Sequence, residues 1–259
     1  MIKRFVLALV TLAAVPTFAQ LAAPNDLGVS AGHVHLAVRD IAAQQKFFGL
    51  LGGKQVQNGA LQLIQFPGIF INLRQDMPVA GTEGSVINHF GFHVKNLPAT
   101  LETLKPLGLK VEQRNPQQAF VTGPDDVRVE LLEDAKLSMP IEMHHIHMIV
   151  LTAADVQAWY GKVFGAVPGK RGTFDTATIP GAEIAMTTQQ VLLAPTKGRS
   201  LDHIGFEVKS LDATLKRLDS MGIKIADGPK LGANGTTKIA FFYDPWGTYI
   251  EVHEGISPK

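Results

Sequence analysis

One stretch of this chain occurs twice, and that recurrence constrains the fold more than any other feature. Asn88-His89-Phe90-Gly91-Phe92-His93-Val94-Lys95-Asn96-Leu97 is followed by Ala99-Thr100-Leu101 and Leu104. It is matched 114 residues later by Asp202-His203-Ile204-Gly205-Phe206-Glu207-Val208-Lys209-Ser210-Leu211, followed by Ala213-Thr214-Leu215 and Leu218. The copies run on to Gly108-Leu109-Lys110-Val111 and Gly222-Ile223-Lys224-Ile225. Similarity of this length marks a duplication. Each copy alternates as a strand, meets a capping residue (Asn96 or Ser210) and continues as a helical stripe. In the second copy the stripe is Leu211, Leu215, Leu218 and Met221, with Gly222 as its stop. Both copies end in a proline turn and a strand: Gly123-Pro124-Asp125-Asp126 into Val127-Arg128-Val129-Glu130, and Asp244-Pro245-Trp246-Gly247 into Thr248-Tyr249-Ile250-Glu251.

A weaker pair of openings precedes these copies. Gly32-His33-Val34-His35-Leu36-Ala37-Val38 leads into a helical pattern from Ile41 to Leu51, and His144-His145-Ile146-His147-Met148-Ile149-Val150 leads into Ala153 to Phe164. The chain therefore reads as four strand–helix–strands units starting near residues 31, 87, 143 and 201. They fall into halves 31–134 and 143–255, two units each, joined by a linker over Glu133 to Glu142 that contains Pro140.

Apolar residues at 46% suffice for a buried core in each half, and charged residues at 18% are too few for a disordered body. Residues 1–19 read as a secretory signal: Lys3 and Arg4 lead an apolar run from Phe5 to Val15, and Thr17-Phe18-Ala19 offers small residues for cleavage. The run is too short for a bilayer span of ~20 residues. The expected protein is therefore exported, periplasmic or secreted, with no stable membrane insertion after cleavage. Its formal charge, +1 for the whole chain, carries no basic run, so no nucleic-acid partner is expected. The chain contains no cysteine, which excludes thiolate metal sites and thiol catalysis.

All nine histidines fall in the motif strands. His33, His89, His145 and His203 each stand five residues before the valine that closes a unit's first strand. Strand alternation puts His33 with His35, His89 with His93, His145 with His147, and His203 with Glu207 on faces opposite the apolar residues. Glu130 and Glu251 each stand six residues after a turn proline, flanked by Val129 and Leu131 or by Ile250 and Val252. A carboxylate inside such a sheet is costly unless it is paired or binds a cation. Any single one of these residues reads as an ordinary strand residue; their recurrence across four units points to metal ligation.

These motifs resemble the vicinal oxygen chelate superfamily, the group of glyoxalase I, type I extradiol dioxygenases, methylmalonyl-CoA epimerase and bleomycin-resistance proteins. The resemblance is most specific at Asp202 to Val208 and at Tyr243 to Glu251. It implies an α+β fold in which four βαβββ units pair into two cup-shaped half-barrels with the helices outside. It also implies a divalent metal (Fe, Mn, Ni or Zn) in a cup, held by one histidine from each paired unit and one glutamate. If neighbouring units pair, the implied ligand sets are His145, His203, Glu251 and His33, His89, Glu130. If the first unit pairs with the fourth, they become His33, His203, Glu251 and His145, His89, Glu130. Neighbour pairing is the expectation.

A fourth glutamate ligand like that of glyoxalase I is missing, since the matching places fall near Asn72 and Met186. Two histidines and one carboxylate leave coordination positions open. The extradiol pattern is also incomplete, because Phe241 stands where its tyrosine would be. Glu207, His147 and His253 are the leading candidates for proton transfer, beside His35 and His93, and Glu207 reads equally as a hydrogen-bond partner for a metal-bound histidine. The function expected is that of an enzyme acting on a small substrate with neighbouring oxygens, of lyase, isomerase or dioxygenase type, as a monomer or homodimer. The alternative is a non-catalytic small-molecule binding or resistance protein.

Overall fold

The computed structural model describes residues 21–257, so the leader expected at residues 1–19 lies outside the described residues. Four βαβββ units follow one another. The first is β1 (Val29–Val38), α1 (Ile41–Leu50), β2 (Lys54–Asn58), β3 (Leu61–Phe66) and β4 (Ile69–Gln75). The second is β5 (Ile87–Val94), α2 (Leu97–Leu104), β6 (Lys110–Asn115), β7 (Gln118–Thr122) and β8 (Arg128–Glu133). The third is β9 (Ile141–Val150), α3 (Ala153–Phe164), β10 (Val167–Arg171), β11 (Phe174–Ile179) and β12 (Ala182–Thr188). The fourth is β13 (Leu201–Val208), α4 (Leu211–Ser220), β14 (Asp227–Leu231), β15 (Lys238–Tyr243) and β16 (Tyr249–Glu254).

Local chemistry sets the helix starts. The side chains of Asp40, Asn96 and Ser210 accept backbone N–H bonds from Ala42, Ala99 and Ala213, which satisfies donors that the first turn leaves open. α4 ends at Ser220, and Gly222 follows at φ 75°, a left-handed conformation that glycine adopts without cost.

The eight-stranded sheets correct the expected pairing of neighbours. One sheet runs β14-β15-β16-β13-β1-β4-β3-β2 and joins units four and one; the other runs β10-β11-β12-β9-β5-β8-β7-β6 and joins units three and two. Each unit's first strand is the edge on which a second unit can dock. β1 meets β13 antiparallel, and β5 meets β9 antiparallel. Units adjacent in sequence meet instead through their apolar sides. Phe48 stacks on Phe90 and Phe66 packs on Phe92, uniting the first half; Phe164 stacks on Phe206 in the second half. All four units share one hydrophobic cluster. That shared apolar packing between neighbours leaves their first-strand edges free, and each edge closes on a unit from the other half.

Candidate metal centres

The crossed sheets determine which ligands meet. In the first cup, made by units one and four, His33 on β1 pairs in register with Gly205 on β13, and Gly205 lies beside Glu251 on β16. A Cβ on Gly205 would sit 2.2 Å from the His33 ring, so only glycine lets that imidazole lie across the neighbouring strand. Gly91 clears the same space for His145 in the second cup, where a Cβ would fall 2.4 Å from its ring. The repeated glycine two residues after His89 and His203 is therefore part of the site. The doubled motif was its only signal in the sequence.

The ligand atoms converge. In the first cup His203 Nε2 is 3.0 Å from Glu251 Oε2, His33 Nε2 is 3.6 Å from that oxygen, and the two imidazoles are 3.5 Å apart. In the second, His89 Nε2 and His145 Nε2 lie 3.0 and 3.1 Å from Glu130 Oε2 and 3.3 Å from each other. The neighbour sets His145–His203–Glu251 and His33–His89–Glu130 do not assemble, because each would need ligands from opposite sheets. The register also corrects one match. Ala185, opposite His147, takes the place that Asn72 holds opposite His35, while Met186 is buried in the core.

Partners outside each triad orient its imidazoles. His203 donates from Nδ1 to Asp202 Oδ1 at 2.6 Å, which turns the lone pair of Nε2 toward Glu251. Asn88 takes that place in the second cup, 2.8 Å from His89 Nδ1. His33 Nδ1 lies 3.1 Å from His253 Nε2, and His253 Nδ1 donates to Glu207 Oε2 at 2.7 Å. Glu207 also accepts from the backbone N–H groups of Gly255 and Ile256. Neither Glu207 nor His253 is on the wall of the first cup's cavity, and both stand behind His33. In the second cup the partner of His145 is His144, 2.9 Å away.

The two cups reach this equivalent support by exchanging residues. Gly32 beside His33 leaves room for His253, whose Nε2 would be 2.2 Å from a Cβ there. The second cup has His144 at the Gly32 place and Leu132 at the His253 place. His147 borders the shallower clefts of the second cup and is 2.8 Å from Thr187 Oγ1. His93 stacks on His144 at 3.9 Å.

Electrostatics favour a cation. Burial resists a charge on Glu251, but His33 and the His203 hydrogen bond outweigh it and hold the carboxyl at about 2. Burial also opposes the charge on Glu130, yet bonds from His145 and His89 keep it well below the usual carboxylate range. Burial pushes His33 and His35 well down and brings His89 to about 4. His203 is raised: Asp202 and Glu251 overcome its burial. Imidazoles that burial keeps neutral, His33 and His89, beside the ionised Glu251 and Glu130 give donors suited to a divalent metal. Both nitrogens of His35 are buried without a hydrogen-bond partner among the described residues, an arrangement that a cation would relieve.

The first cup opens on a cavity of about 360 Å³. His35, Asn72, His203, Phe241, Tyr249 and Glu251 line it, and Arg74, Lys197 and Lys230 also border it. Phe241 and Tyr249 stack at 5.1 Å, and Lys197 Nζ sits 4.3 Å from the Tyr249 ring centre.

Two histidines and a glutamate from paired βαβββ units, at the floor of a curved sheet, define a protein with the vicinal oxygen chelate fold. Residues 158–252 match the model of the Glyoxalase/Bleomycin resistance protein/Dioxygenase superfamily. Glyoxalase I from Zea mays has the same fold, with a TM-score of 0.70 at 16% identity over 87% of this chain and 92% of that one. A candidate dioxygenase from Bacillus subtilis aligns with a TM-score of 0.67 at 11% identity, covering 93% of this chain and 87% of that one. No curated protein matches the chain in sequence.

Proposed function

We propose that the protein is an exported metal-dependent enzyme that acts on a small substrate presenting two neighbouring oxygens, and that the first cup is its active site. The observation carrying this reading is the convergence of His33, His203 and Glu251 at one point beside a cavity of about 360 Å³. A divalent ion held by these three residues would supply Lewis acidity to the paired oxygens. The protein's own groups supply the rest. Asp202 fixes the His203 tautomer, and the Glu207–His253 pair fixes that of His33. Phe241 and Tyr249 give the cavity an aromatic wall. Among the described residues no helix is long and apolar enough to cross a membrane.

Elemental analysis of the purified protein beside His203→Ala and His89→Ala tests the reading. Wild type is expected to hold a divalent transition metal, His203→Ala to lose the first cup's share, and His89→Ala to lose only the second's. Unchanged metal content in His203→Ala would sink the proposal.

A further inference from the structure

Each cup holds a third imidazole beside the triad. His35 stands two residues after His33, so strand alternation brings it to the same cup face. Its ring stacks on that of His203 at 4.2 Å between centres and 20° between planes. The second cup repeats the arrangement, with His147 stacked on His89 at 4.6 Å and 19°. The nitrogens of His33, His35 and His203 lie within 4.8 Å of one another, as do those of His89, His145 and His147. Stacking covers one face of the His35 ring and leaves its nitrogens unsatisfied. Both are buried and unpartnered, whereas His147 has Thr187. A buried imidazole in that condition, within reach of two other ligating nitrogens, has a vacant donor atom for the same ion.

We infer that His35 is a fourth protein ligand of the first cup, which then offers three imidazoles and one carboxylate: His33, His35, His203 and Glu251. The inference rests on the metal-dependent reading of this cup and narrows it. A facial triad leaves three of six positions on an octahedral ion, enough for a chelating substrate and dioxygen together. A fourth protein donor leaves two, which the neighbouring oxygens of the substrate fill. The reaction class that fits is therefore one that needs no oxidant, a proton-transfer isomerisation or an addition–elimination on an oxygen-chelating substrate.

The experiment uses the full mature chain carrying His89→Ala and Glu130→Ala, which confines metal to the first cup. Cobalt(II) is titrated into this protein and into versions also carrying His35→Ala, His35→Gln or His203→Ala. Affinity is followed by calorimetry, and the number of bound imidazoles by X-ray absorption. The expected result is one equivalent with three imidazoles. His35→Ala and His35→Gln should each keep the stoichiometry with two imidazoles and bind roughly 10- to 100-fold more weakly. Unchanged affinity and imidazole count in both His35 variants, with binding lost in His203→Ala, overturns the fourth ligand while leaving the metal site standing. Full binding in His203→Ala overturns the metal reading itself. Circular dichroism of each variant separates ligand loss from unfolding.

Discussion

At the scale of single residues, the site depends on atoms that are missing as much as on those present. Gly205→Ala places a methyl group 2.2 Å from the His33 ring and must displace it. The expected outcome is loss of first-cup metal with the second cup still loaded, at a stability cost of about 1–3 kcal/mol. Metal stoichiometry and thermal unfolding check this, and Gly91→Ala should give the mirror result. The exchange of Gly32 and His253 for His144 and Leu132 gives a second test. Gly32→His alone should destabilise the protein through collision with His253. Adding His253→Leu should recover most of the lost melting temperature, because the pair then copies the second cup; a double variant no more stable than the single would refute the equivalence. The ligand types were legible in the sequence because histidine recurs at one place in four units. Glu207 was legible as a hydrogen-bond partner for a metal-bound histidine, but its route to His33 through His253 was not. Alternation assigns a side chain to a face, and only the strand partner determines what it touches on that face.

Among the elements, the turn between β15 and β16 ties the fourth unit to the third. Asp244 Oδ1 accepts the backbone N–H of Trp246 and Thr248, and Oδ2 accepts the Tyr160 hydroxyl of α3 at 2.9 Å. Burial raises the Asp244 carboxyl from 3.8 to about 6 despite these bonds. The folded state thus holds this proton more tightly than the unfolded chain does. Its stabilising contribution is full below about pH 4 and is lost as pH rises to about 6. Asp244→Asn removes that dependence. Its stability relative to wild type should rise by up to roughly 3 kcal/mol between pH 4 and pH 7, as measured by urea unfolding at each pH. Taking the difference between the two proteins cancels the buried histidines, whose lowered values act in the opposite sense. A relative stability independent of pH would contradict the assignment. The elements themselves were largely readable: Asn96 and Ser210 cap helices, and α3 spans Ala153–Phe164. The order of units within a sheet was not. Each unit's alternation is satisfied by any partner edge, and the choice is made by Phe48, Phe90, Phe164 and Phe206 packing across units.

For the whole molecule, the crossed pairing means that neither half contains a complete triad. Residues 21–134 hold His33, His89 and Glu130; residues 143–257 hold His145, His203 and Glu251. Either half expressed alone should bind no metal at micromolar affinity, and co-expression should restore two sites per pair, as measured by elemental analysis of the purified species. A half that binds one equivalent by itself would refute the crossed assignment. The same pairing puts β1 and β16 on either side of β13 in one sheet, and Leu21 and Ser257 border a common groove. The described ends are therefore neighbours, so a short peptide could bridge them while new termini are opened in the linker near Lys136. In such a circular permutant the units run three, four, one, two. The cup now assembled from the outermost units would become the inner one and the inner cup the outer, so the rearranged chain would trace the same architecture with its two centres transposed.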